Sequence, residues 1–198
     1  RGGTALREAQ RLRHQVFCRE RGILPGQGDN GVESDEFDRA SHHVVLRQRR
    51  GGDVVGTARL VIGYWHQGRP EGFPMLHYCG PETLRGLPMG TTAEISRFAL
   101  SKARRQQGEA ADRLLRYGLM RGILRASLDL GLTHWCALME ASLLRLLRGA
   151  GVEFAPLGPA VEAHGIRLPS AAAIPGVLES GASRCPDLYR FVAERRAA

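Results

Sequence analysis

The chain has 198 residues, 43% hydrophobic and 24% charged, enough apolar content for one globular domain with a substantial core. Its formal net charge of +8 comes almost wholly from arginine, Lys102 being the sole lysine. Such a surface suits nucleic acid, anionic lipid or an acidic protein. The four cysteines, Cys18, Cys79, Cys136 and Cys185, are far apart and lack zinc-ligand spacing, so no metal site is expected.

Leu6, Ala9, Leu12, Arg13, Val16 and Phe17 recur at helical spacing and predict an amphipathic helix over about residues 4 to 21, ending before Gly22 and Pro25. Arg13 and Phe17 share a face, as the flank of a core stripe or as a charge aimed into a pocket. Residues 22 to 41 form a Gly/Asp-rich loop in which Glu33, Asp35, Glu36 and Asp38 crowd around Phe37. The calcium-loop pattern is absent there; a solvated acidic loop, a divalent-cation loop and a site for a cationic amine are the readings.

His42 to Arg47 and Val54 to Ile62, separated by RRGGD, predict a β-hairpin. In its second strand Arg59 falls among apolar neighbours, and a buried arginine needs a carboxylate or phosphate partner. Residues 63 to 90 read as a long irregular segment with a short helix.

Thr92 to Ser101, TAEISRFALS, is a strand carrying charge. Regular alternation puts Glu94, Ser96 and Phe98 on one face and Ile95 and Arg97 on the other. Either the charges serve two environments or a bulge re-aims one of them. Next comes Arg105-Gln-Gln-Gly108-Glu-Ala110, a spacing by which a glycine loop and a helix start present N–H groups to a pyrophosphate.

A helix over about 110 to 130 buries Leu115, Leu119, Ile123 and Ala126 and turns Arg121 and Arg125 outward. His134 to Met139 reads as a buried strand and Ala141 to Arg148 as a short helix ended by Gly149 and Gly151. Val152 to Ala155 and Val161 to Ile166 read as closing strands. His134, Cys136 and His164 read as packed residues. Strands alternating with helices imply a mixed α/β sheet in a single domain spanning 1–198. No apolar run is long enough to span a bilayer and no secretory segment is visible, so a cytoplasmic location is expected. The chain opens on Arg1 rather than Met, so a short N-terminal piece is expected to precede it.

Together these pieces resemble the acyl-homoserine-lactone synthase branch of the GNAT acyltransferase superfamily. The matching residues are Arg13-x-x-x-Phe17, Asp35-x-x-Asp38, Arg59 in GTARL, and Glu94-x-Ser96-Arg97-Phe98. The stretch from Met139 to Pro169 is more similar to the exosortase/PEP-CTERM-associated acyltransferases and N-acyl amino acid synthases.

The resemblance implies a GNAT-like mixed sheet with a V-shaped cleft, flanked by helices. A primary amine would there attack an acyl-phosphopantetheine thioester carried by acyl carrier protein or CoA, with no bound cofactor. The acidic carrier protein would use the positive surface, which leaves nucleic acid disfavoured as partner. Glu94, Ser96 and Arg97 are the expected catalytic residues. Arg13, Phe17, Asp35, Asp38 and Arg59 are expected to bind the acceptor, and Phe98, Ala99, Leu100, Arg104, Arg105 and Gly108 the acyl donor. The carboxylates of Glu94, Asp35 and Asp38 would hold the amine and take its proton. Arg59 or Arg97 would bind a substrate carboxylate or brace the acidic loop. Ile23 stands ten residues after Arg13, where lactone synthases carry a tryptophan near the S-adenosylmethionine site; this points to an amino acid as acceptor and an N-acyl amino acid as product.

Overall fold

A computed structural model describes residues 2–24, 30–102 and 108–193. The leading helix α1, Gly2–Arg13, continues into a wider π-type segment, His14–Glu20. The predicted single helix therefore changes pitch: the N–H of Arg21 reaches back to the carbonyl of Val16 at 3.0 Å, five residues away rather than four. The expected hairpin forms with the expected boundaries, β1 His42–Arg47 and β2 Val54–Ile62, antiparallel with Val44 opposite Ala58.

Residues 63 to 90 hold more structure than a loop. A small antiparallel ribbon, β3 Tyr64–His66 and β4 Arg69–Glu71, is followed by two 3₁₀ turns, Pro74–His77 and Pro81–Leu84. Each begins on proline, whose fixed φ suits a first helical position. Then come β5 Thr92–Leu100, α2 Glu109–Asp129, β6 His134–Met139 and α3 Ala141–Gly149.

The last third departs most from expectation. Strands β7 Ala155–Pro156 and β8 Val161–Glu162 are only short pieces. The long strand is β9, Ile166–Ala173, which pairs antiparallel with β6 along its length and leads into α4 Ile174–Arg184 and α5 Pro186–Ala193. Pro169 and the alanine run hid it, since both are poor strand formers by composition. Antiparallel pairing with buried neighbours outweighs that weakness.

The large sheet has seven strands in the order β1-β2-β5-β6-β9-β7, with β8 on β9. It is mixed, because β5 and β6 run parallel. Their ladder joins Thr92–Glu94 to His134–Cys136 and goes no further, although both strands continue.

The chain divides into two compact units, residues 1–60 with 97–123, and residues 61–96 with 124–198. In the first, Leu12, Val16, Phe17, Leu24 and Ala99 make an apolar cluster, and Gly122 and Gly118 let α2 approach Val44 and Leu46 of β1. In the second, Phe73, Met75, Leu84, Leu87, Cys136 and Ala171 form the core, and buried Trp135 donates to the hydroxyl of Ser127 at 2.8 Å. The formal charge is divided unevenly. The first unit contains 18 Lys/Arg against 10 Asp/Glu, while the second has 10 of each.

Candidate functional site

The acidic loop is not a solvated one. Asp35 caps the 3₁₀ turn Glu36–Ala40, its Oδ1 accepting from the N–H of Phe37 at 3.1 Å. Glu33 is anchored by its own backbone, its N–H bonded to the carbonyl of Gln10 at 3.1 Å. These contacts aim the carboxylates of Glu33, Asp35 and Asp38 at three guanidinium groups.

Arg13, fully buried, donates Nε to Glu33, Nη2 to the Glu33 carbonyl at 2.9 Å, and a two-pronged pair to Asp38 at 2.8 and 2.9 Å. Arg59, also fully buried, bonds Asp35 and, at 2.8 Å, Asp38; its guanidinium stands 5.7 Å over the Phe37 ring. Arg97 closes the network, with Nε on Glu33 Oε1 at 3.0 Å and Nη2 on Asp35 Oδ2 at 2.9 Å. Three cations thus meet three anions, so the cluster is neutral and each member is charge-assisted. Arg13 is thus a buried charge paired within the cluster rather than one aimed into a pocket, and Arg59 and Arg97 brace the acidic loop.

Electrostatics follow from this packing. Burial works against the charge on Asp38, but Arg13, with help from Gln10 and Arg59, holds its carboxyl well below the usual carboxylate range. Burial likewise works against the Arg13 charge, and its acidic partners outweigh it and raise its pKa. Only the edge of the cluster meets solvent: among its side chains Arg97 is 24% and Asp35 16% exposed, against 4% or less for the rest.

Arg97 reaches that edge because its backbone lies at φ 53°, the left-handed region that a β-strand residue other than glycine rarely enters. Of the two alternatives for the charged strand, the first is realised: Glu94 and Arg97 serve different environments.

Glu94, 3% exposed, lies in the second unit, where Oε2 accepts the N–H of Met75 at 2.8 Å and the strand partner is Cys136. Both neighbours belong to the apolar core of that unit. Burial, reinforced by the Glu94 carboxylate, pushes the thiol of Cys136 well up. Burial does the same to Cys79, with Glu94 adding to it. These thiols are neutral, and the four cysteines form no disulfide.

The remaining expected residues are more scattered. Ser96 and Phe98 are half-buried beside Arg97, whereas Phe17, Ala99 and Leu100 sit in the core. Gly108, at φ 106°, precedes α2 and its carbonyl accepts from Asp112 at 3.1 Å. Arg104 and Arg105 lie outside the described residues. Among the described residues no cluster of His, Cys, Asp or Glu has the form of a metal site. His164, read as packed, is instead exposed and bonded to Tyr78. Glu33 was not singled out beyond its place in an acidic run; its burial and its bonds to two arginines mark it, and no local sequence signal does.

The sequence profile of the acetyltransferase (GNAT) domain matches residues 12–115. The chain belongs to the GNAT family. Residues 12–115 thus fold as an acyltransferase domain. No curated protein sequence matches the chain.

Solved structures with the same GNAT fold include a CoA-dependent acyl-homoserine lactone synthase, BjaI, with SAM and isopentyl-CoA, which is 24% identical at a TM-score of 0.68 over 92% of this chain and 82% of that one. A second CoA-dependent synthase, MesI, is 20% identical, with a TM-score of 0.69 over 98% and 91%. FeeM, an N-acyl amino acid synthase from uncultured soil microbes, is 18% identical, with a TM-score of 0.58 over 87% and 92%. Among the described residues no helix of this GNAT chain is long and apolar enough to cross a membrane.

Proposed function

We propose that this GNAT domain transfers a fatty acyl group from the phosphopantetheine thioester of acyl carrier protein to the amine of an amino acid, releasing an N-acyl amino acid. The observation that carries the reading is Glu94: a carboxylate buried against an apolar cluster, at the point where the β5–β6 ladder ends.

In this reading the acyl chain lies along the apolar cluster that contains Met75 and Cys136. The neutral amine nitrogen attacks the thioester carbonyl, Glu94 takes the proton that nitrogen loses, directly or through water, and that proton passes to sulfur as the C–S bond breaks and the thiol leaves. Backbone N–H groups beside the left-handed Arg97 face the developing oxyanion. Arg97 and Asp35, the exposed edge of the ion cluster, hold the acceptor's carboxylate and ammonium ends. Arg13, Arg59, Glu33 and Asp38 are positioning residues behind them. The positive excess of the first unit suits an acidic carrier protein.

Ile23, in place of the tryptophan expected of lactone synthases, supports an amino acid over S-adenosylmethionine as acceptor. A second reading, with acyl-CoA as donor, draws on the CoA-dependent enzymes among the structural neighbours. Mass spectrometry of products from carrier-protein and CoA thioesters, with pooled amino acids and with or without S-adenosylmethionine, separates these readings. An N-acyl amino acid from the carrier-protein arm alone supports the proposal; a lactone formed only with S-adenosylmethionine overturns it.

A further inference from the structure

The exposed pair Tyr78–His164 has no part in the chemistry above, yet it is built with unusual care. The Tyr78 hydroxyl lies 3.0 Å from Nε2 of His164, with the rings edge to face at 5.9 Å. His164 stands at φ 54° and the next residue, Gly165, at φ 101°, so a bulky residue occupies a backbone region that favours glycine. Such a residue persists where its surroundings over-determine it, and it marks functional positions more often than chance.

Here the surroundings are visible. Gly165 donates its N–H to Glu162 Oε1 at 2.8 Å, and Arg167 donates to the carbonyls of Ala163 and His164 at 2.8 and 3.2 Å. Arg167 is in turn held by Glu140, at the end of β6, at 2.9 Å. The turn is a rigid bracket that presents the imidazole to Tyr78.

Tyr78 leads directly to the carboxylate of Glu94. Its N–H donates to the carbonyl of Met75 at 3.0 Å; Cys79 adds its N–H at 3.1 Å and its thiol at 3.2 Å to the same oxygen. The other side of that residue, the Met75 N–H, is the group bonded to Glu94 at 2.8 Å. A path of hydrogen bonds joined through the covalent frames of Tyr78 and Met75 therefore runs from the bracket through one 3₁₀ turn to the buried carboxylate.

We infer that Tyr78 and His164 are positioning residues: they latch the Pro74–His77 turn so that the Met75 N–H fixes the Glu94 carboxylate for proton transfer. The inference rests on Glu94 being the base. Losing the latch frees the turn and the carboxylate rotates away from its working orientation, so proton transfer slows while acceptor binding at the ion cluster is unchanged.

The test compares wild type, Tyr78→Phe, His164→Ala and His164→Asn, since asparagine tolerates the left-handed backbone and keeps a polar atom. Hydrogen exchange at the Met75 amide, followed by NMR on the intact protein without substrate, is expected to quicken at least tenfold in Tyr78→Phe and His164→Ala, with Tm little changed. His164→Asn is expected to recover most of the protection. With an active donor and acceptor pair, kcat is expected to fall about tenfold in Tyr78→Phe at constant KM. Unchanged Met75 exchange, or exchange that rises only in step with lost global stability, overturns the latch. Faster exchange with kcat unchanged upholds the latch but shows Glu94 is not the base it serves, which is failure of the functional reading instead.

Discussion

Arg97 donates Nε to Glu33 at 3.0 Å from a backbone position at φ 53°. A strained strand residue and a fully buried carboxylate thus hold each other in place, and Glu33 is shared with Arg13. Cutting this link exposes its size. Glu33→Gln leaves the buried Arg13 short of a counter-charge, and breaking a buried pair on one side costs about 3–5 kcal/mol. Urea denaturation is expected to show a loss of that order; a change below about 1 kcal/mol would mean the cluster holds little.

Acid tests the same cluster in another way. The Asp38 carboxyl titrates below its usual range in the folded protein, so the unfolded chain takes up the proton first as pH falls. Its stabilising effect is complete above about pH 4, the ordinary value for an unfolded aspartate, and is lost as pH drops through the depressed native value. Urea midpoints measured from pH 6 to pH 3 should fall for the wild type. In Asp38→Asn they should start lower and fall less across the lower part of that range.

Gly63 offers a test in the second unit. A methyl group there would stand 2.0 Å from Cε2 of Phe73, a ring packed in the core beside Met75. Gly63→Ala is therefore expected to cost about 1–3 kcal/mol through overpacking. By displacing the residue before the Pro74–His77 turn, it should also reduce turnover. Calorimetry and steady-state kinetics on one preparation check both.

The uneven charge gives a prediction about the donor. If an acidic carrier protein docks on the first unit, reversing an exposed cation there, as in Arg113→Glu, should raise KM for the carrier-protein thioester several-fold at unchanged kcat. Added salt should narrow the gap between variant and wild type, because exposed charges are screened beyond about 8–10 Å near physiological ionic strength. A KM insensitive to both would place the carrier elsewhere.

How far the sequence shows all this depends on distance along the chain. The hairpin β1–β2, the strand β5 and the helix α2 are legible because alternation, glycine punctuation and helical spacing are local signals. Arg59 is legible as a residue in need of an anion, for Ala58 and Leu60 flank it and Val55 and Val61 share its face. Its partners Asp35 and Asp38 lie 24 and 21 residues away, and only the family resemblance joins them beforehand.

Other features are invisible for the same reason. Strand β9 carries proline and alanine where a strand pattern wants branched residues, and its pairing with β6 decides the matter. Glu33 looks like any acidic loop residue until two arginines close on it. Tyr78 and His164 are 86 residues apart, and neither residue type nor spacing hints that they meet.

The most direct measurement of the central claim uses purified wild type and Glu94→Gln, each given long-chain acyl-carrier-protein thioester and pooled amino acids without S-adenosylmethionine, with products read by mass spectrometry. The account predicts an N-acyl amino acid from the wild type and at least a hundredfold less from a variant that melts at the same temperature. Product undiminished in Glu94→Gln, or none from the wild type with any acyl thioester, would contradict it.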